Sequence, residues 1–260
     1  MVIPIHDDNP TRRVPIVTYV LIALNILVFF QEPIARADVA GGETAVVQQC
    51  RQLAYFRHWS AIPKELTTNQ QLPLAPGGPA GPDSCEAVRP DYQKTPLISV
   101  FTSMFLHGGL LHLLGNMLFL FVFGNNVEDR LGRVRFALFY VVCGYVAAYA
   151  FAFAFPQSEN VLVGASGAIA GVLGAYLVFF PKARVTSLVP FLLFYPARLP
   201  AWVVLGFWFV LQWVYSRGAA LTEGSGVAYL AHVAGFLAGV VFAVVLRRKE
   251  SPPVPANRWA

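Results

Sequence analysis

Residues 228–246 read AYLAHVAGFLAGVVFAVVL, without one Asp, Glu, Lys or Arg, and run straight into Arg247, Arg248 and Lys249. At ~1.5 Å per residue a helix of this length covers most of the ~30 Å hydrocarbon thickness of a bilayer. Ala231, Gly235 and Gly239 recur at four-residue intervals, so one face of the helix is built for close approach by a neighbour. A single ionisable group, His232, interrupts the apolar run near its start. The stretch reads as a membrane span with a docking face.

The rest of the chain is of the same kind. Of its 260 residues, 56% are hydrophobic and 13% charged, against ~25% charged in an ordinary soluble domain, and mean hydropathy is +0.56. That composition excludes a water-soluble enzyme, a disordered chain, collagen and a coiled coil. Apolar stretches at 14–30, 108–123, 136–155, 164–180 and 200–215 join 228–246 to predict an all-α, polytopic membrane protein, a six-transmembrane-helix bundle. Arg12 and Arg13 precede the first stretch as they would a signal peptide, but no small-residue cleavage site follows, so it is read as a retained helix.

Positive charge fixes the expected orientation. Arg12 and Arg13 precede span 1, Arg130, Arg133 and Arg135 separate spans 2 and 3, Lys182, Arg184 and Arg198 separate spans 4 and 5, and Arg247, Arg248, Lys249 and Arg258 follow span 6. Residues 156–163 carry no Lys or Arg and residues 216–227 only Arg217. The positive-inside rule then places both termini in the cytoplasm. The chain is expected to be a single membrane domain, 1–260, with a long external loop at about 31–105 and a short polar C-terminal tail at 247–260. Cys50 and Cys85 leave room for one disulfide across that loop, two unpaired thiols being the alternative, while Cys143 reads as a small packing residue. The net charge of +5 is scattered, with no basic run longer than 247–249, so no nucleic-acid partner is expected.

Polar side chains within a bilayer are costly and are the first candidates for function. Asp and Glu are absent from all six apolar stretches, which excludes the carboxylate relays of pumps and any carboxylate-bridged metal site; no metal and no cofactor is implied. His112, Asn116, Ser166, Gln212 and His232 remain. His112 and Asn116 lie one helical turn apart on one face. His112, Ser166 and His232 each fall within about the first five residues of an inward-running span, hence at one shallow depth. A serine needs an adjacent base to attack an acyl carbon, so the expected unit is a Ser-His dyad, Ser166 as nucleophile and His232 as general base. His112 and Asn116, with backbone amides at the start of span 4, would stabilise a tetrahedral oxyanion. No carboxylate is at hand to orient His232, which leaves packing and weaker hydrogen bonds. Gly167, Gly171 and Gly174 line one face of span 4, so that spans 4 and 6 can close together and bring the pair into reach.

HLLGN at 112–116, GASG at 164–167 and AHVAGFLAG at 231–239, in this order on six spans, resemble the rhomboid intramembrane serine proteases over nearly the whole chain. The resemblance implies Ser166 as nucleophile, His232 as base, and His112 and Asn116 with the Ser166 amide as the oxyanion site. His107 stands where the family often has a further histidine, and EDRLG at 128–132 matches a recurrent stretch of bacterial members. The implied partners are the lipid bilayer and transmembrane protein substrates, entering sideways past span 5. Two features depart from the pattern: Ala170 stands where some members carry a tyrosine that packs on the histidine, and the external loop lacks the family's Trp-Arg pair. The competing reading is a catalytically silent rhomboid-like protein that binds transmembrane helices, with the two histidines and Gln212 serving only as inter-helix hydrogen bonds. Trp202, Trp208 and Trp213 read as bilayer-interface or lipid-facing aromatics. The N-terminus has no transit-type character, so the expected location is a multi-pass integral protein of the bacterial plasma (inner) membrane.

Overall fold

The computed structural model describes residues 3–33, 45–72, 93–189, 195–219 and 228–246. Cys85, the Cys50 side chain, and the tail at 247–260 lie outside the described residues. In chain order the elements are β1 (Ile3–Asp7), α1 (Ile16–Phe29), α2 (Ala45–Trp59), α3 (Pro63–Thr68), α4 (Pro96–Ser103), α5 (Leu110–Leu131), α6 (Arg133–Ala154), α7 (Ser166–Phe179), β2 (Arg184–Val189), β3 (Tyr195–Pro200), α8 (Ala201–Ala219) and α9 (Tyr229–Leu246). Each apolar stretch read from the sequence becomes a helix. Three of them, α5, α6 and α9, are long and apolar enough to cross a membrane, and α1 and α7 are shorter apolar helices.

Helix α7 is the axis of the molecule. All its side chains from Ala168 to Tyr176 are buried, packed among Phe123, Phe136, Tyr140, Leu205 and Phe236 of the surrounding helices. The outward faces carry Leu111, Val134, Leu138, Phe153, Val241 and Val245 exposed, an apolar exterior that suits lipid rather than water. Between α7 and α9 the backbones touch. A Cβ on Gly235 would overlap the Gly167 carbonyl oxygen, one on Gly239 the Gly171 carbonyl, and one on Gly174 the Phe236 carbonyl. The predicted small-residue faces are thus the seam of the two helices.

The two ends of the bundle are tied differently. At one end β1, β2 and β3 form an antiparallel sheet in that order, with Asp7 opposite Val185 and Val185 opposite Leu199. Asp7 Oδ2 accepts from the Tyr176 hydroxyl at 2.6 Å and from Asn126 Nδ2 at 2.8 Å, joining β1 to α7 and α5. The sheet was not legible as such: an all-α chain was expected, and RVTSLV at 184–189 is a short strand stabilised by its two partners. Helix α5 also continues beyond residue 123, the predicted end of its span, to Leu131. Its last turns carry Glu128, buried, whose two oxygens accept from the Val17 and Thr18 amides and the Thr18 hydroxyl at 2.7–3.0 Å. A carboxylate here satisfies the free amides at the N-terminus of α1.

At the opposite end the described residues between α1 and α5 form the short helices α2, α3 and α4. This segment seats on the loop before α7 through an antiparallel bridge of Ala61 with Leu162, with Leu162 N–H donating to Ala61 O at 2.8 Å. Lys64 N–H donates to Ser158 O at 3.1 Å and its ammonium pairs with Glu159 at 2.8 Å. A buried pair of Lys94 and Glu65 holds the segment together. Burial pushes the Lys94 ammonium down from its usual range, against the pull of Glu65.

Candidate active site

Three backbone devices set Ser166 at the start of α7. Gly164 has φ +116, a value that excludes other residues, and a Cβ there would stand 2.9 Å from His112 Nε2 and 3.7 Å from Ser166 Oγ. The Gly164 amide donates to Ser103 O at 2.9 Å, anchoring the loop to α4. Ala165 turns the chain into the helix, so the amides of the first turn, that of Ser166 included, have no carbonyl behind them and point outward as donors.

His232 lies in the first turn of α9, where the glycine seam holds it over Ser166. Its Nε2 is 2.7 Å from Ser166 Oγ. On the other edge of the ring Nδ1 is 2.8 Å from Gln212 Oε1 of α8. Trp208, one turn before Gln212, packs beside the imidazole with ring centroids 6.1 Å apart, and Tyr229 meets it edge-on at 6.3 Å.

His112 reaches the same point from α5. Its Nδ1 accepts a long bond from the Gly108 amide, 3.4 Å, which in a neutral ring places the hydrogen on Nε2, on the edge of the ring that faces Gly164. Asn116 is buried one turn below, and its Nδ2 donates to the His112 carbonyl at 3.0 Å rather than to Ser166. His107 is buried, with its ring edge-on to His112 at 5.1 Å. Its amide donates to Glu32 Oε1 at 2.9 Å. Burial pushes the Glu32 carboxyl up to about 7, against the pull of that hydrogen bond. Among the described residues no group of three His, Cys, Asp or Glu could hold a metal ion.

Residues 94–249 match the sequence model of the Rhomboid domain. The chain belongs to the rhomboid family. It is 31% identical over 175 residues to Rhomboid protein 1, mitochondrial, of Saccharomyces cerevisiae, across 64% of this chain and 48% of that protein. It is 30% identical over 147 residues to RHOMBOID-like protein 6, mitochondrial, of Arabidopsis thaliana, across 56% and 43%. With the Bacillus subtilis protein named "Putative rhomboid protease YdcA" it shares 40% over 78 residues, across 30% and 39%. The chain spans less than half the length of each of these three relatives. Membership makes it an integral, polytopic membrane protein of a family whose members are in general intramembrane serine proteases.

In this rhomboid domain the structure gathers Ser166, His232 and His112 around one point, with Asn116 joined to them through the His112 backbone. Two neighbours carried weaker signals in the sequence and a third carried none. Gln212 read only as an inter-helix hydrogen bond, which it is, but its partner is His232. Trp208 read as lipid-facing and is instead 9% exposed against that ring, its spacing of four from Gln212 being the signal that both share a face of α8. Glu32, just past α1, gave no signal in the sequence.

Proposed function

We propose that this rhomboid is an intramembrane serine endopeptidase that hydrolyses peptide bonds in or near transmembrane helices of other membrane proteins. The observation that carries the reading is the 2.7 Å approach of Ser166 Oγ to His232 Nε2, the distance of a hydroxyl donating to its base. Ser166 Oγ attacks the scissile carbonyl carbon while its proton passes to His232 Nε2. The oxyanion so formed lies within reach of the first-turn amides of α7 and of His112 Nε2–H, with Asn116 steadying His112 and offering its second amide hydrogen. Collapse breaks the C–N bond, the leaving amine takes the proton from Nε2, and an acyl ester remains on Ser166. Water, deprotonated by the same nitrogen, then releases the acid.

The arrangement we propose in the membrane is six spans, with the sheet end and both termini cytoplasmic, in one domain. The arginines beside β1, α6 and β2 support it. Helix α7, with 14 residues, is ~21 Å long against a ~30 Å hydrocarbon core, so Ser166 lies below the outer surface. Water reaches it past His112, which is exposed. The compartment we propose is a bacterial plasma membrane, which likeness to the Bacillus subtilis protein supports; two relatives are named mitochondrial, and membrane fractionation decides.

The test is labelling of detergent-solubilised protein with a fluorophosphonate, alongside cleavage of a transmembrane substrate in liposomes. Wild type is expected to be labelled and to cut, and Ser166→Ala and His232→Ala to lose both. A folded wild type that neither labels nor cuts overturns the protease reading in favour of a silent helix-binding relative.

A further inference from the structure

Resting on that reading, we propose that Gln212 completes the catalytic unit as a positioning residue, its amide oxygen fixing the tautomer and tilt of His232 where a carboxylate would ordinarily stand. The two ring nitrogens of His232 are engaged on opposite edges, Nδ1 by Gln212 Oε1 at 2.8 Å and Nε2 by Ser166 Oγ at 2.7 Å. A neutral imidazole has one N–H, and a carbonyl oxygen can only accept. Gln212 Oε1 therefore places the hydrogen on Nδ1 and leaves the lone pair of Nε2 for the serine proton. A ring of the other tautomer would present N–H to Ser166 and could not act as a base.

The surroundings leave this task to α8. Among the described residues the rings beside His232 are Trp208 of α8 and Tyr229 of α9, with none from α7. On α8, Trp208 and Gln212 share a face one turn apart, the first beside the ring and the second on its edge. Gln212 is the only hydrogen-bonding carboxamide in a helix that is otherwise apolar up to Tyr215, and it is 6% exposed. Burying a primary amide there is costly unless it is bonded, and a carboxylate would cost more. A neutral acceptor orients the base without a buried charge.

The experiment measures steady-state cleavage of one transmembrane substrate in liposomes from pH 5 to 9, for wild type, Ser166→Ala, Gln212→Leu, Gln212→Met and Gln212→Glu. Thermal midpoints identify the folded variants, and the near-isosteric Met stands in should Leu misfold. Gln212→Leu and Gln212→Met are expected to lower kcat about 10- to 100-fold, the lower part of what a positioned base contributes, with KM within about twofold. Gln212→Glu, which restores an acceptor on Nδ1, is expected to be more active than the two apolar variants and to move the acid limb of kcat/KM to higher pH, since a carboxylate favours the protonated ring. His112 of α5 and Tyr229 of α9 are the other ionisable side chains near that ring. Both are unchanged across the series, so the displacement reports on position 212. Wild-type kcat in the apolar variants, or an unmoved acid limb in Gln212→Glu, overturns the proposal. A wild type no more active than Ser166→Ala sinks the protease reading itself and this inference with it.

Discussion

Glu32 sits three residues past the end of α1, wholly buried, with one oxygen on the His107 amide and the other without a partner among the described residues. Its carboxyl titrates at about 7 when folded against an ordinary 4.5, because burial disfavours the charge. Between those values the folded protein holds a proton that the unfolded chain has released. The stability this group confers is therefore complete below pH 4.5 and is lost as pH rises through about 7. Gln is a permanent stand-in for the protonated acid and can still accept from His107. Glu32→Gln is expected to flatten the decline of the thermal midpoint between pH 4.5 and 8, and a decline identical to wild type would show that Glu32 is not the group responsible. Because the Glu32 bond fixes the amide preceding the Gly108–Gly109 turn into α5, replacement by Ala is expected to loosen His112 and lower kcat more than Gln does. Cleavage assays of both variants at pH 6 make that comparison.

At the scale of elements, the reach between Ser166 and His232 is a property of the α7–α9 seam. Glycine at 235 and 239 lets carbonyl oxygens of α7 lie where a Cβ would be, so any side chain there must push the helices apart. Gly239→Val is expected to lengthen the 2.7 Å contact about two turns away along α9 and to reduce fluorophosphonate labelling at least tenfold, while Gly206→Ala on α8, where a Cβ meets nothing within 4 Å, is expected to label as wild type. Equal labelling of both would remove the seam from the account. This seam was legible because small residues at four-residue spacing are a local pattern, and the same holds for the helices and for Ser166, His232 and His112, which sit on local motifs. The third partner of the imidazole was not, since residues 212 and 232 meet only after α8 and α9 have packed, and one glutamine among apolar residues has no period. The sheet was missed for a related reason: β2 is a strand only because β1, some 180 residues earlier in the chain, and β3 supply its hydrogen bonds.

For the whole molecule, two pairings of distant segments constrain how the chain threads a membrane. β1 precedes α1 and hydrogen-bonds to β2, which follows α7. Strands in one sheet share one side, so the chain between them crosses an even number of times, which the proposed spans α1, α5, α6 and α7 satisfy with four. Ala61, before α5, bridges Leu162, after α6, so these two also share one side, which the proposed spans α5 and α6 satisfy with two crossings; on the proposed arrangement that side is opposite the sheet. The backbone pairing and the distribution of arginines are independent, and they agree. The arrangement predicts which surfaces a membrane-impermeant maleimide can reach in sealed, right-side-out vesicles of a chain with Cys50 and Cys85 replaced by Ser. Cysteine introduced at exposed Glu159 is expected to react at once, whereas cysteine at exposed His6 or Arg198 is expected to react only after the vesicles are opened. His6 and Arg198 lie in strands that flank β2, at paired registers with Thr186, so they must behave alike whatever the orientation. Unlike behaviour of those two positions would break the sheet, and equal protection of position 159 with position 6 would break the odd count of proposed crossings, α1, α5 and α6, that separates them.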